Sequence, residues 1–124
     1  MKELIDNVID QVISWRRNLH QIPEIGTELP QTSDYVAKQL DNMGVSYKKG
    51  VGLESAIVAT IEGTKEGKGK TIALRADMDA LPVKEETGLE FASKNQCMHA
   101  CGHDAHTAIL LGVVKVLNQI KDQF

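Results

Sequence analysis

Residues 98–108 read MHACGHDAHTA and run directly into the apolar stretch ILLGVVKVL, 109–117. Histidine, cysteine and aspartate crowd residues 99–106, at the start of a segment with helical periodicity. The spacing predicts a helix beginning near Asp104 and burying Ile109, Leu110, Val113, Val114, Leu117 and Ile120. Cys101 and His103 form a C-x-H pair, and both side chains ligate soft or borderline cations. Gly102 between them lets the backbone turn tightly enough for the two to converge. The helix that follows would present its positive end to this loop, which favours the thiolate that metals need. Asp104 is a natural N-cap and also a hydrogen-bond partner for an imidazole. His106 falls in the first turn, beside the cluster.

Three functional readings compete for these residues. A structural zinc site could use Cys97, Cys101 and two histidines, but no second ligand pair stands at finger spacing. A Cys–His nucleophile is the second, although nucleophile and base usually meet through the fold rather than as near neighbours. The third is a catalytic metal site whose further ligands lie elsewhere. Spacing alone ranks the metal readings above the nucleophile, with a functionless, satisfied cluster as the bland alternative.

Upstream, Leu4, Ile5, Val8, Ile9, Val12, Ile13, Arg16 and Leu19 recur at helical spacing and predict one continuous helix with a single apolar stripe. HQIPEIGTELP (20–30) breaks that pattern. A second helix is expected over residues 32–43, burying Tyr35, Val36, Leu40 and Met43, with Gly44 at a left-handed C-terminal position. Three strands are expected after it: a short edge strand in VSYKK (45–49), then SAIVATIE (55–62) and TIALRAD (71–77). The charged, glycine-rich GTKEGKGK (63–70) would be a solvated hairpin loop between the last two. Leu81 to Ala100 reads as a long loop. The order is that of an α/β domain, with helices packed on a mixed β-sheet. The sheet is thin and no C-cap signal follows NQIKDQF, so the chain reads as cut from something longer.

In RADMDALP (75–82), strand alternation would place Arg75, Asp77 and Asp79 on one side, at the end of a strand leaving the core. Carboxylates there are placed to meet a ligand. An Arg–Asp surface pair, or a turn stabilised by Asp79, is the plain alternative, since surface carboxylates are common.

Composition removes several classes. At 124 residues the chain is one domain's worth, and 42% hydrophobic with 25% charged residues is ordinary for a globular protein. A net charge of -3 with interspersed signs and only 4% aromatics gives neither a basic stripe nor a stacking platform, so no nucleic-acid partner is expected. No apolar run reaches the ~20 residues of a membrane span, and Asp6 and Asp10 interrupt any signal-like segment. Two cysteines make no disulfide framework, which favours a reducing cytoplasm.

Together, RRNLHQIPEIGTEL (16–29), ALRADMDALPVKEETGLEFAS (73–93) and MHACGHDAHTAILLG (98–112) resemble the amino-terminal part of the aminoacylase-like metallo-amidohydrolases. That family includes hippurate hydrolases, N-acyl-L-amino-acid amidohydrolases and indole-acetyl-amino-acid hydrolases. The resemblance covers nearly the whole chain, and three motifs in order make it specific. It implies that residues 1–124 are the first part of a zinc-peptidase-like catalytic domain, without the lid and dimerisation domain of the longer members. Cys101 and His103 match the first two metal ligands, Asp77 the catalytic aspartate and Asp79 the second acid of that motif. The general-base glutamate and the remaining ligands, a glutamate and two histidines, would lie downstream. The implied activity is hydrolysis of N-acyl amino acids or related small amides and peptides, with two divalent ions (Zn, Mn, Co or Ni) per complete site and a homo-oligomeric full-length enzyme. The 124 residues alone are then expected to be inactive. A non-enzymatic metal-binding or interaction module that retains half of the fold is the alternative. Arg17, His20, Pro23 and Glu24 match the family's opening signature, as either a buried polar network or a substrate contact. Cys97 departs from the glycine common in that loop and adds a spare thiol.

Overall fold

The computed structural model describes residues 1–67 and 69–124. The elements run α1 (Lys2–Asp6), α2 (Ile9–His20), α3 (Pro30–Asn42), β1 (Tyr47–Lys49), β2 (Ile57–Ala59) and α4 (His103–Gln119), with a terminal 3-10 turn over Lys121–Gln123. The α/β class stands. β1 and β2 pair antiparallel, with Lys48 opposite Val58.

The first helix is two helices rather than one. The α-helical hydrogen-bond ladder breaks at Asn7 and Val8, where the Val8 N–H donates to Ile5 O, and the Val8 side chain is buried there. Ile5, Ile9 and Ile13 remain exposed, so the stripe that reaches the core is Val8, Trp15 and Leu19. A hydrophobic repeat specifies an amphipathic face but does not show where that face changes direction.

α3 begins at Pro30, whose fixed φ suits the first helical turn. It ends as its sequence predicts. Gly44 has φ +65°, its N–H donates to Asp41 O, and the Val45 N–H donates back to Leu40 O at 3.0 Å. These are the two bonds of a Schellman cap, and the accompanying Leu40–Val45 pair is buried. Val36 and Leu40 are buried as expected, whereas Tyr35 and Met43 are only partly covered.

Ile120, just past α4, is buried as expected and Val114 packs on the core, but the fully buried face of α4 is otherwise not the one its apolar residues foretell. Asp104, Thr107, Ala108, Leu111, Gly112 and Val116 point inward, while Ile109 is 56% exposed. The small residues decide this, because α4 lies closely against α2. A Cβ built on Gly112 would stand 2.7 Å from Val12 Cγ2. The core is assembled from Trp15, Leu19, Val36, Leu40, Val45, Ala108 and Leu111.

Residues 71–77 do not form a strand. Ile72 is 81% and Leu74 58% exposed, and the segment has no ladder partner among the described residues. β-propensity is a preference for a pleated surface covered by neighbours, and it makes no strand without a paired edge. The hairpin expected over 63–70 is therefore not formed; Lys68 within it lies outside the described residues. The segment instead turns back on the carboxyl end of the chain, the Thr64 N–H donating to Lys121 O and that of Lys65 to Phe124 O.

Candidate metal centre

α4 starts where the C-x-H pair was expected to need a bend. Gly102 adopts φ +80° and precedes His103, the first helical residue. A side chain at Gly102 would meet nothing, so its requirement for glycine is purely backbone. Cys101 on one side of the bend is exposed and free. His103 on the other is partly covered, its side chain 23% exposed.

The imidazole of His103 is already oriented. Its Nδ1 lies 2.9 Å from Asp79 Oδ1 and 2.9 Å from the Asp79 backbone oxygen. A donor at Nδ1 leaves Nε2 as the acceptor, which is the nitrogen a metal would take. Nearby, the Thr107 hydroxyl donates to Asp77 O at 3.0 Å, fastening the first turns of α4 to the acidic segment. The two aspartates therefore part company. Asp79 reaches the candidate ligand; the Asp77 carboxylate pairs with Arg75, itself 87% exposed. Without a strand, the predicted alternation that placed Arg75, Asp77 and Asp79 together does not apply, and only the Arg75–Asp77 pair survives from it.

Asp104 is not the N-cap. Gly102 takes that position, and Asp104 sits inside the first turn, 1% exposed. Its Oδ2 accepts from Arg16 Nε at 2.8 Å and lies 2.7 Å from His20 Nδ1. Asp104 is thus an imidazole's partner, but the imidazole is that of His20. The other nitrogen of His20 is 3.2 Å from Glu85 Oε1, and Glu85 Oε2 accepts the Ser93 N–H at 2.6 Å. The three side chains of this chain of contacts are 0–3% exposed. Burial acts to raise the Glu85 carboxyl, but hydrogen bonds from Thr87, the Ser93 N–H and His20, with the His20 charge, hold it below the usual glutamate range.

Of the opening signature, His20 belongs to a buried polar network, while Glu24 is half-buried and Arg17 exposed. Glu24 Oε2 accepts from Thr32 N and Oγ1, both at 2.8 Å, and Oε1 accepts from Gln31 N, satisfying the start of α3. The Glu24 carbonyl takes the Ala80 N–H at 2.7 Å, next to Asp79. The Pro23 carbonyl accepts from Asn95 Nδ2, and Arg16 and Arg17 stack on Phe91 at 5.2 and 5.0 Å. Residues 20–24 thus fix both the acidic segment and the loop that leads to Cys101.

His99 is 4% exposed, and neither ring nitrogen has a partner among the described residues. Burial, then the neighbouring His20 and His103, push it below the ordinary histidine value, against the pull of Asp104. His106 is exposed, with its ring 5.6 Å from that of His103. Cys97 is half-buried and free; its N–H donates to Asn95 Oδ1. No group of three or more potential ligands converges among the described residues. A free thiol and an oriented imidazole on either side of a glycine bend are of the donor types that divalent-metal sites use, and a complete site needs more donors.

Scaffold and donors together define the class: an α/β scaffold that gathers metal-ligating residue types at a helix start. Comparison with known proteins agrees. Residues 73–124, which hold Asp77, Asp79, Cys101 and His103, match the model of peptidase family M20/M25/M40. The chain is 49% identical to thermostable carboxypeptidase 1 of Saccharolobus solfataricus over 98% of its own length and 31% of that protein. It is 43% identical to the N-acyl-L-amino acid amidohydrolase of Geobacillus stearothermophilus, over 98% of this chain and 32% of the relative. Among solved structures it is similar to the Bacillus subtilis YXEP protein, a dinuclear metal binding peptidase from the M20 family, with TM-score 0.86 and 36% identity over 99% of this chain and 33% of the other. Over nearly its whole length the chain is thus similar to M20-type peptidases and amidohydrolases, the resemblance that its three motifs carry. It spans about a third of the length of these relatives.

Sequence reasoning missed Glu85, Arg16 and Thr107 as supports of the site. Glu85 stands beside Glu86 in a charged loop, and no local spacing separates the buried carboxylate from the exposed one. Arg16 carries no sequence signal beyond its place in the helical stripe.

Proposed function

We propose that this chain supplies part of the catalytic domain of a metal-dependent hydrolase of N-acyl amino acids or related small amides and peptides. The single observation that carries the reading is the bend at Gly102, which sets Cys101 beside a His103 whose Nδ1 is engaged by Asp79. Cys101 Sγ and His103 Nε2 would hold a divalent cation; zinc, manganese, cobalt and nickel all suit this donor pair when carboxylates complete the site. Bound metal in such centres acts as a Lewis acid toward an acyl carbonyl and lowers the pKa of water. The chain's own part is positioning. Asp79 fixes the tautomer and direction of His103, and Thr107 holds the acidic segment against α4. Asp77, paired with Arg75, stands two positions before Asp79.

The substrate class follows the printed activities of the relatives, one a carboxypeptidase and one an N-acyl-L-amino acid amidohydrolase. A free thiol as ligand suits a reducing compartment, and we place the protein in the cytoplasm on that ground. Homo-oligomerisation belongs to the same reading. Two donors fall short of the three protein ligands that a catalytic zinc-type site needs, so residues 1–124 by themselves are expected to be inactive. The test is hydrolysis of N-acetyl-methionine and hippurate, with Mn²⁺, Zn²⁺ or Co²⁺ added, by the 124-residue chain and by the full-length protein. Metal-dependent turnover by the full-length protein alone supports the proposal. Absence of turnover in both, with metal bound, favours the non-enzymatic module.

A further inference from the structure

We propose that His20 is a positioning residue for the Cys101–His103 segment, clamping both sides of the Gly102 bend from α2; the inference rests on the metal-centre reading and deepens it. The bend is a weak joint. Gly102 carries no side chain, and nothing packs where one would be. Only backbone hydrogen bonds hold the bend itself, from Gly102 N–H to His99 O and from the Ala105 and His106 N–H groups to Gly102 O. The side chains that fix the flanking segments therefore help to set the angle between the two candidate ligands.

Each flank is tied to the same imidazole. Downstream, Asp104 is the residue after His103, and its Oδ2 lies 2.7 Å from His20 Nδ1. Upstream, the 81–100 loop that delivers Cys101 is gripped through Glu85, 3.2 Å from His20 Nε2. Glu85 in turn holds the loop closed through the Ser93 N–H. Leu81 and Met98 exchange backbone hydrogen bonds at 3.0 Å, so the closed loop passes its position on to Cys101. All three side chains of the clamp are buried, where a carboxylate left without its partner is costly, and neither flank can move freely. The rings of Phe91 and His99 pack against His20 at 5.7 and 6.3 Å and restrict its tilt.

Residues that orient metal ligands from behind typically change metal affinity by about 10–100-fold when removed. The test is Co²⁺ titration of the full-length protein, read by the cobalt–thiolate charge-transfer band, in wild type, Cys101→Ala, His20→Ala, His20→Asn and His20→Gln. Thermal melting of each metal-free protein is recorded alongside. An Asn amide can replace the contact to Asp104, and a Gln amide that to Glu85. We expect Cys101→Ala to remove the band, and His20→Ala to weaken Co²⁺ binding by about tenfold or more. His20→Asn should recover most of the affinity, beyond what its melting temperature accounts for. Equal affinity in wild type and every folded His20 variant would overturn the proposal. So would an affinity loss that simply follows melting, or failure of all three His20 variants to fold. A band unchanged in Cys101→Ala would instead contradict the metal-centre reading itself, and the clamp with it.

Discussion

His103 Nδ1 lies 2.9 Å from Asp79 Oδ1 and equally close to the Asp79 backbone oxygen, so residues 24 apart in sequence share one fixed geometry. That relationship separates two aspartates which sequence treats as a pair. Asp79→Asn should keep the fold, because its side chain is 42% exposed, yet weaken divalent-metal binding by about 10–100-fold. Asp77→Asn removes only the exposed partner of Arg75 and should move metal affinity far less. Isothermal titration with Zn²⁺ or Mn²⁺ checks the order. A larger loss in Asp77→Asn would return the orienting role to that residue.

Gly112→Ala should destabilise the chain by about 1–3 kcal/mol despite the better helix propensity of alanine. The added Cβ would come within 2.7 Å of Val12 Cγ2, a short branched side chain held between α2 and α4. Denaturant unfolding measures it, and Gly112→Ala with Val12→Ala should recover part of the loss. A stabilised single variant would show that the two helices are free to move apart.

Glu85 gives the pH dependence a direction. Its carboxyl sits below the usual glutamate range when folded, so the unfolded chain binds the proton more readily. The stability it contributes is present above the ordinary glutamate value and is lost as pH falls through the lower folded value. Thr87, Ser93 and His20 are the groups that face it. Melting temperature should therefore fall in that acidic window less steeply in Glu85→Gln than in wild type. Parallel curves would exclude the contribution.

Glu24→Ala should cost about 1–2 kcal/mol, the loss of a helix N-terminal cap, because its carboxylate satisfies Gln31 N, Thr32 N and Thr32 Oγ1. Glu24→Gln, which keeps an acceptor oxygen, should cost less. Equal losses would show that charge rather than hydrogen bonding holds the start of α3.

The elements with strong local signals were legible in the sequence. The end of α3 at Gly44 and the start of α4 beside Gly102 both follow from glycines at positive φ. The need for a bend between Cys101 and His103 could be read from their spacing about Gly102. The break at Asn7–Val8 could not, nor the inward face of α4, because small residues and a helix crossing set these rather than hydrophobicity. Residues 71–77 read as a strand since Ile72 and Leu74 are apolar, but a strand needs a neighbour, and local sequence does not supply one. The buried Glu85–His20–Asp104 contacts join residues 65 and 84 positions apart, beyond the reach of any local pattern.

The central claim is that Cys101 and His103 are metal ligands. Titration of the protein with Zn²⁺ or Mn²⁺, repeated in Cys101→Ala and His103→Ala, tests it most directly. The account predicts that each substitution weakens binding by at least about 10-fold, the scale reached by changes to residues that merely orient such ligands. Equal affinity in all three proteins would contradict it.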